Sequence, residues 1–137
     1  MAGYSETSLI KKLGIKSGTR IQIKFEPKAY WEWISPLPEG VQVKKRASTG
    51  LNFIHLFCTS QAMYKKEVLL ARKTLHQDGM IWISWPKKSS GVATDLDENV
   101  IRDFALKNKL VDVKVCAVDE VWSGLKLVVP VKDRGRK

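Results

Sequence analysis

Cysteine and histidine are scarce in this sequence. Its 137 residues include two cysteines and two histidines, which lie too far apart for the spacing of a zinc site or a disulfide framework. Cys58 and Cys116 both fall within apolar, strand-like runs, which favours buried thiols in a reducing compartment. We therefore expect no metal centre, and neither cysteine has a nearby base in sequence that would activate it as a nucleophile.

Long apolar runs are also missing. No stretch approaches the roughly 20 residues that a membrane helix needs. The first residues lack a basic segment followed by an apolar one, so we expect no secretory signal and a cytoplasmic location. With 44% hydrophobic residues, residues 1–131 are expected to form one α/β domain, followed by a frayed basic tail at 132–137.

Acidic residues are outnumbered by basic ones. Asp and Glu total 14 against 24 Lys and Arg, which gives a formal net charge of +10. A basic protein of this size associates with polyanions at low salt, so nucleic acid is a candidate partner. The same charge also keeps a small domain dispersed in solution. Composition leaves these two interpretations open, and it leaves the oligomeric state open as well.

Hydrophobic patterning predicts the strands. Apolar and polar residues alternate over Arg20–Phe25 and Val41–Arg46, as in strands with one solvated face. The runs Leu51–Cys58 and Met80–Trp85 are nearly continuous in apolar residues, which is typical of parallel strands covered on both faces. Leu110–Val118 is a further predicted strand.

Four helices are predicted, one before the first strand and three between strands. Thr7 or Ser8 caps the first, and Gly14 ends it. Thr94 and Asp97 have the spacing of a capping box at the start of the last, which begins near Asp95. The predicted helices span Leu9–Leu13, Ala29–Ile34, Thr59 or Ser60 to about His76, and a final segment with the apolar stripe Leu96, Val100, Ile101, Phe104 and Ala105.

The end of the chain predicts an antiparallel strand. Val121–Val131 follows Leu110–Val118 after too short a gap for a crossover helix, so a hairpin around Asp119–Gly124 is the simplest connection. The expected fold is a doubly wound, Rossmann-like α/β domain with a three-layer mixed sheet, mostly parallel and closed by this hairpin strand. It resembles a truncated class I methyltransferase.

The turn after the first strand departs from that resemblance. A cofactor-binding version needs glycine there, so that the backbone can approach the ligand. Phe25–Tyr30 contains no glycine, so we expect no methionine-derived or nicotinamide cofactor in the usual place. The Walker pattern is also absent, so nucleotide hydrolysis is not implied.

The loop after Trp85 is the principal candidate site. Lysines and hydroxyls that face a helix N-terminus suit a phosphate or a carboxylate. A solvated loop with an ordinary helix cap explains the same residues equally well. The candidate ligand-binding residues of this loop are Trp85, Lys87, Lys88, Ser89, Ser90, Gly91 and Thr94.

The predicted hairpin supplies a second group at the same edge of the sheet. Asp119, Glu120, Trp122 and Ser123 could orient a ligand or provide a general base, although such residues also stabilise hairpins. We expect a small ligand to lie between Trp85–Asp95 and these residues, because both segments should leave neighbouring parallel strands at their carboxyl ends.

Other conspicuous residues have ordinary explanations. His55 lies in a buried run and reads as a core histidine, and His76 favours the dipole of the helix that it is expected to close. Aromatic rings at Tyr30, Trp31 and Trp33 can stack bases or anchor a partner, but helical spacing favours packing over the sheet. The polar face of the first two strands is a basic docking surface or a solvated stripe: Arg20, Gln22, Lys24, Gln42 and Lys44.

Three segments together resemble a small bacterial family of unknown function. They are Gly3–Ile15, Trp85–Leu96 and Leu110–Leu127. The resemblance implies one small bacterial cytoplasmic domain and supplies no catalytic residues. The sequence favours a non-enzymatic domain that binds a small anion or a partner. The alternatives are a degenerate methyltransferase-like enzyme and a nucleic-acid-associated protein.

Overall fold

A computed structural model describes residues 8–46 and 48–134. A six-stranded sheet has the order β2-β1-β3-β4-β6-β5. Its strands are β1 Arg20–Lys24, β2 Gln42–Val43, β3 Leu51–Phe57, β4 Leu75–Pro86, β5 Val111–Ala117 and β6 Trp122–Val128. The helices are α1 Leu9–Leu13, α2 Tyr30–Trp33, α3 Gln61–Thr74 and α4 Glu98–Lys107.

The sheet is mixed, as predicted. β1 runs parallel to both β2 and β3, and β3 runs parallel to β4. β6 is antiparallel to β4 on one side and to β5 on the other. Strands β4 and β5 precede the loop and the hairpin, respectively. The expectation that they are neighbours is wrong, because β6 lies between them. Leu125 and Leu127 of β6 are fully buried, whereas Val113 and Val115 of β5 are half-exposed, so the strand that buries more apolar surface takes the interior position.

Successive side chains of β3 point to opposite faces of the sheet, and each face carries its own hydrophobic core. Ile54 and Leu56 pack with α3 and α4 on one face of the sheet. Phe53 and Phe57 pack with α1 and α2 on the other. Because helices cover both faces, nearly every residue of this strand is buried, which is why its sequence is almost continuously apolar.

The start of β4 differs from the prediction. Helix α3 ends at Thr74, and Leu75 already has extended backbone and pairs with Leu51. His76 therefore lies in a strand and does not close a helix. Gly79 is needed because β4 passes very close to the backbone of β3 at this position. An added Cβ would lie 2.9 Å from the Leu51 carbonyl oxygen, next to an irregularity in the β3–β4 pairing.

Helix α4 begins three residues later than predicted. Its N-cap is Asp97, whose carboxylate accepts a hydrogen bond from Val100 N at 2.9 Å. Thr94 instead accepts from Leu96 N and donates to Thr59 O, so the predicted capping box does not form. The predicted apolar stripe is confirmed from Val100 to Ala105, with Ile101 and Ala105 fully buried; Leu96 is also buried but lies before the helix.

Both ends of the described chain are ordered locally. Ser8 caps α1, and Gly14 ends it at φ 86°, as predicted; Thr7 lies outside the described residues. Val131–Asp133 form a short 3₁₀ turn, and Arg134 Nε donates to Val129 O at 3.0 Å. The frayed tail stays a prediction. Residues 135–137 of the predicted tail lie outside the described residues. In residues 8–46 and 48–134, none of the helices has the length and apolar character needed to cross a membrane.

Candidate functional site

The predicted loop and hairpin lie side by side at one edge of the sheet. Lys87 N donates to Val121 O at 2.7 Å. Trp85 pairs with Ser123, and Pro86 pairs with Trp122. The structure therefore brings these two segments together through backbone hydrogen bonds, even though β6 separates β4 from β5.

Several polar groups of the loop are already hydrogen-bonded, either within the loop or to other parts of the chain. Ser90 Oγ donates to Lys87 O at 2.6 Å, and Thr94 Oγ1 donates to Thr59 O at 2.7 Å. The Asp95 carboxylate accepts from Gln61 N at 2.7 Å, so it satisfies the first turn of α3. Asp97 caps α4, which begins at Glu98 and not near Asp95, and an anion site between the loop and this helix N-terminus stays a prediction. These contacts fasten the loop to the start of α3.

The lysines of the loop remain outside this network. Lys88–Ser90 form a short 3₁₀ turn that ends at Gly91, whose φ of 78° accounts for the glycine. Lys88 and Ser89 are exposed. Neither Lys87 nor Lys88 forms an ion pair in the part of the chain that the structure describes. Their role in holding an anion stays a prediction.

The hairpin residues have clear structural roles. Asp119 accepts hydrogen bonds from Val121 N at 2.9 Å and from Trp122 N at 2.8 Å, which fixes the turn. The Trp122 ring stands edge-on to Phe57, with centroids 5.0 Å apart. Glu120 is exposed. Of the acids proposed to orient a ligand, only Glu120 is therefore uncommitted within the described chain.

The aromatic residues Tyr30, Trp31 and Trp33 pack over the sheet, as their helical spacing favours. Tyr30 and His55 are fully buried, and a hydrogen bond of 2.9 Å joins the Tyr30 hydroxyl to His55 Nδ1. His55 Nε2 is 2.7 Å from the buried Ser84 hydroxyl. Burial lowers the pKa of His55 to about 3, so the imidazole is neutral. Serine, histidine and tyrosine in a chain resemble a nucleophile with its base, but none of them reaches solvent, so the network holds α2 on the sheet.

The cysteines are unsuited to nucleophilic chemistry. Cys58 is buried, and burial together with the Glu67 carboxylate raises the pKa of its thiol to about 12. Burial also raises the pKa of the half-buried Cys116, against an opposing influence of Lys114 and Lys12. Within the described ranges, no group of three or more His, Cys, Asp or Glu side chains could hold a metal ion.

A cavity that the sequence did not predict opens on the α3 face of the sheet. Its volume is about 320 Å³, which is within the size range of small-molecule sites. Gln22 and Glu67, which are largely buried, take part in its wall. We call it the α3-face cavity. Its lining residues are Gln22, Lys24, Lys45, Leu56, Glu67, Leu70, Ala71, Lys73 and Thr74.

Positive charge dominates this cavity. Lys24 Nζ is 2.9 Å from the Glu67 carboxylate, which is the only acid in the described lining. Lys45 and Lys73 have no carboxylate within 4.0 Å in residues 8–46 and 48–134. The lining therefore carries three ammonium groups against one carboxylate that is already paired. The polar face of β1 is thus not a simple solvated stripe.

Strand order explains where the cavity lies. The chain leaves β1 towards β2 on one side and leaves β3 towards β4 on the other, so the order reverses between β1 and β3. Ligands of open α/β sheets bind at such a reversal, outside the carboxyl ends of the strands. Lys24 is the last residue of β1 and pairs with Leu56 of β3, so one end of the cavity reaches this point. Its other end, at Lys73 and Thr74, lies near the amino end of β3, where Leu75 pairs with Leu51.

The short connection from β2 to β3 borders the cavity through Lys45. Seven residues join the two strands, too few for a crossover helix, and one of them, Arg46, lies beside β1, where its carbonyl oxygen accepts a hydrogen bond from Gln22 Nε2 at 3.1 Å. The short interval between the predicted strands was the available sequence signal. It could not locate the cavity without knowledge of the strand order.

Comparison with known proteins supports the fold. No protein-family model and no curated protein matches the chain, so the resemblance to a small bacterial family stays a prediction. Among solved structures, a SAM-dependent methyltransferase from Aquifex aeolicus matches with a TM-score of 0.62 and 11% identity, over 88% of this chain and 87% of that one.

Two further matching structures contain SAH. DhpI in complex with SAH has a TM-score of 0.62 and 7% identity, over 93% of this chain and 84% of that one. Magnesium protoporphyrin IX methyltransferase (ChlM) from Synechocystis PCC 6803 with bound SAH has a TM-score of 0.56 and 8% identity, over 88% and 78%. The chain therefore has the Rossmann-like fold of class I methyltransferases, and identities this low establish the fold alone.

The residues present do not fit SAM at the usual place. The turn after β1 has Phe25 at φ 64°, a conformation that glycine adopts freely, and its half-exposed ring stands at the turn where a cofactor requires close backbone approach. After β2, where an acid would bind ribose hydroxyls, the chain has Lys44 and Lys45. The Glu26 carboxylate already accepts from Trp31 Nε1 at 2.9 Å. SAM also carries a sulfonium cation, which these lysines repel.

Proposed function

We propose that this chain is a degenerate methyltransferase-like domain that binds a small anionic ligand in the α3-face cavity. The observation that carries the proposal is the imbalance of charge there: Lys24, Lys45 and Lys73 surround a space that holds one carboxylate, and Lys24 neutralises that carboxylate. Lysines gathered without acids around a concave space attract anions, since the surrounding walls concentrate their field.

The contacts support a distinct role for each charged residue of the cavity. Glu67 holds the Lys24 ammonium at the carboxyl end of β1, which fixes one cation in place. Lys45 and Lys73 are the exposed cations that would close on the charged head of the ligand. Charge-assisted hydrogen bonds of this kind are about twice as strong as neutral ones.

Apolar side chains restrict the rest of the ligand. Leu56 and Ala71 are buried in the core, and Leu70 is 43% exposed where α3 passes the cavity. A ligand whose apolar body covers Leu70 would remove that side chain from water, at about 25 cal/mol for each Å² buried. The favoured class is therefore a small molecule with a phosphate or carboxylate head and an apolar or aromatic body.

Phenyl phosphate is a suitable probe, and benzyl alcohol is its neutral counterpart. We expect phenyl phosphate to raise the melting temperature and to bind in calorimetry, and benzyl alcohol to do neither. The double variant Lys45→Gln/Lys73→Gln should lose about tenfold or more in affinity, since it removes two charge-assisted contacts.

The double variant Lys87→Gln/Lys88→Gln is the matched control, because it removes the same charge from the loop. Unchanged affinity in this variant is expected. A loss there, with none in the cavity variant, would overturn the cavity proposal and favour the loop and hairpin. Stabilisation by SAM or SAH at micromolar concentration would contradict it in favour of a methyltransferase.

A further inference from the structure

Two lysines face each other on the sheet surface opposite the α3-face cavity. Lys114 of β5 and Lys126 of β6 are direct partners in the antiparallel pairing. Lys126 also pairs with Trp82, whose ring belongs to the core beneath α1 and α2. Like charges directly opposite each other across two strands are destabilising. Their presence therefore needs a reason.

Helix α1 and the segment after it add two more cations to this surface. Lys114 Nζ donates to Lys12 O at 3.3 Å, at the carboxyl end of the helix. Burial lowers the pKa of Lys126, and the positive charges of Lys114 and Lys16 lower it further. We call Lys12, Lys16, Lys114 and Lys126 the α1-side lysine cluster.

No acid compensates this cluster within residues 8–46 and 48–134. The ion pairs found there join Lys24 to Glu67, Arg102 to Glu98 and Asp112, and Arg134 to Asp78. The C-terminal dipole of α1 accounts for the position of the Lys114 ammonium, but not for Lys126, which lies half-buried among other cations. An anion from outside the chain would relieve this repulsion.

An aromatic ring lies on the same face. Residues 122 and 126 are four apart in a regular strand, so Trp122 and Lys126 point to the same side of β6. Trp122 is half-buried, with its ring edge-on to Phe57. Basic side chains combined with aromatic rings are the usual surface for single-stranded nucleic acid, since lysines contact phosphates and rings stack with bases.

We propose that the α1-side lysine cluster binds the phosphate backbone of a single-stranded nucleic acid, with Trp122 beside a base. The four ammonium groups come from α1, the segment after it, β5 and β6, and Lys16 and Lys114 are exposed. Cations spread over separate elements of an open surface match phosphates repeated along a strand. This inference is independent of the ligand in the α3-face cavity.

The test measures binding of the full-length chain to a fluorescein-labelled oligouridine of about 12 nucleotides, by anisotropy at several salt concentrations. The variant carries Lys12→Gln, Lys16→Gln, Lys114→Gln and Lys126→Gln. Each lost phosphate contact should reduce the slope of log affinity against log salt by about 0.7. We expect affinity at about 0.1 M salt to fall by up to several hundred-fold.

A control variant with equal charge separates this site from general attraction. It carries Lys65→Gln, Lys66→Gln, Lys107→Gln and Lys109→Gln, at positions on α3, on α4 and just after α4. The fold-loss in affinity of this control variant should be less than about a tenth of the fold-loss of the cluster variant. Equal losses in the two variants, or no binding by the wild type at about 50 mM salt, would overturn the proposal.

A single substitution guards against misfolding of the quadruple variant. Lys126→Gln should unfold at a higher urea concentration than the wild type, because repulsion is removed, and should bind the oligouridine several-fold more weakly. Lower stability with unchanged affinity would show that Lys126 is structural and would overturn the proposal. A Trp122→Phe variant that binds with unchanged affinity would likewise contradict the base contact.

Discussion

His55 should make the stability of this domain depend on pH. The imidazole is completely buried between the Tyr30 hydroxyl and the Ser84 hydroxyl, and burial lowers its pKa from 6.5 to about 3. In the unfolded chain the ring titrates near its ordinary value. Below pH 6.5 the unfolded state therefore binds a proton that the folded state does not, so stability falls as the pH falls from 6.5 towards 3.

The size of this effect follows from the separation of the two pKa values. Each pH unit within that range changes the free energy of unfolding by about 1.36 kcal/mol. Between pH 7.5 and pH 5.0 the loss due to His55 should be about 2 kcal/mol, since only the part below pH 6.5 counts. That is a large share of the total stability of a small domain.

Urea unfolding followed by tryptophan fluorescence at both pH values measures this loss. His55→Gln removes the titration, so its loss between pH 7.5 and 5.0 should be about 2 kcal/mol smaller than that of the wild type, whatever its stability at neutral pH. His76→Gln is the control at an exposed histidine and should behave as the wild type does. If His55→Gln and the wild type lose the same amount, the reasoning is refuted. An NMR titration in which His55 protonates near pH 6.5 would refute it independently.

Three further predictions concern local structure. Gly79→Ala should lower the free energy of unfolding by about 1–3 kcal/mol in urea titration, because the added methyl group would meet two backbone carbonyl oxygens at 2.9 and 3.0 Å; an unchanged value would contradict the close approach. Asp97→Ala should cost about 1 kcal/mol through loss of the α4 cap, whereas Asp97→Asn should cost less. Iodoacetamide should modify Cys116 slowly and Cys58 only after unfolding, as measured by mass spectrometry; rapid labelling of native Cys58 would contradict its burial.

Local signals predicted much of the fold. Helix α1 has a capping hydroxyl at Ser8 and a glycine at Gly14, and both act within a few residues of the helix. The nearly continuous apolar run of β3 indicates burial on both faces of the sheet, and this signal can be read from the local composition alone. The antiparallel hairpin followed from the short interval before Trp122. Each of these predictions required no knowledge of distant contacts.

Contacts between distant residues decided what the sequence could not predict. Asp95 and Asp97 are equally suited to cap a helix, and only the hydrogen bond from Gln61 N to Asp95, 34 residues away, assigns Asp95 to α3. The position of β6 between β4 and β5 depends on competition for apolar burial. The α3-face cavity depends on strand order and on the short connection that brings Lys45 beside β1, so it has no signature in consecutive residues.

The most direct test of the proposed function locates the ligand on the protein. Phenyl phosphate would be titrated into the ¹⁵N-labelled chain, and amide chemical shifts would be followed residue by residue. Binding in the α3-face cavity predicts saturable shifts at Lys24, Lys45, Glu67 and Lys73, with little change at residues 85–95. Shifts confined to residues 85–95 and 119–123, or no saturable shift at all, would contradict the account.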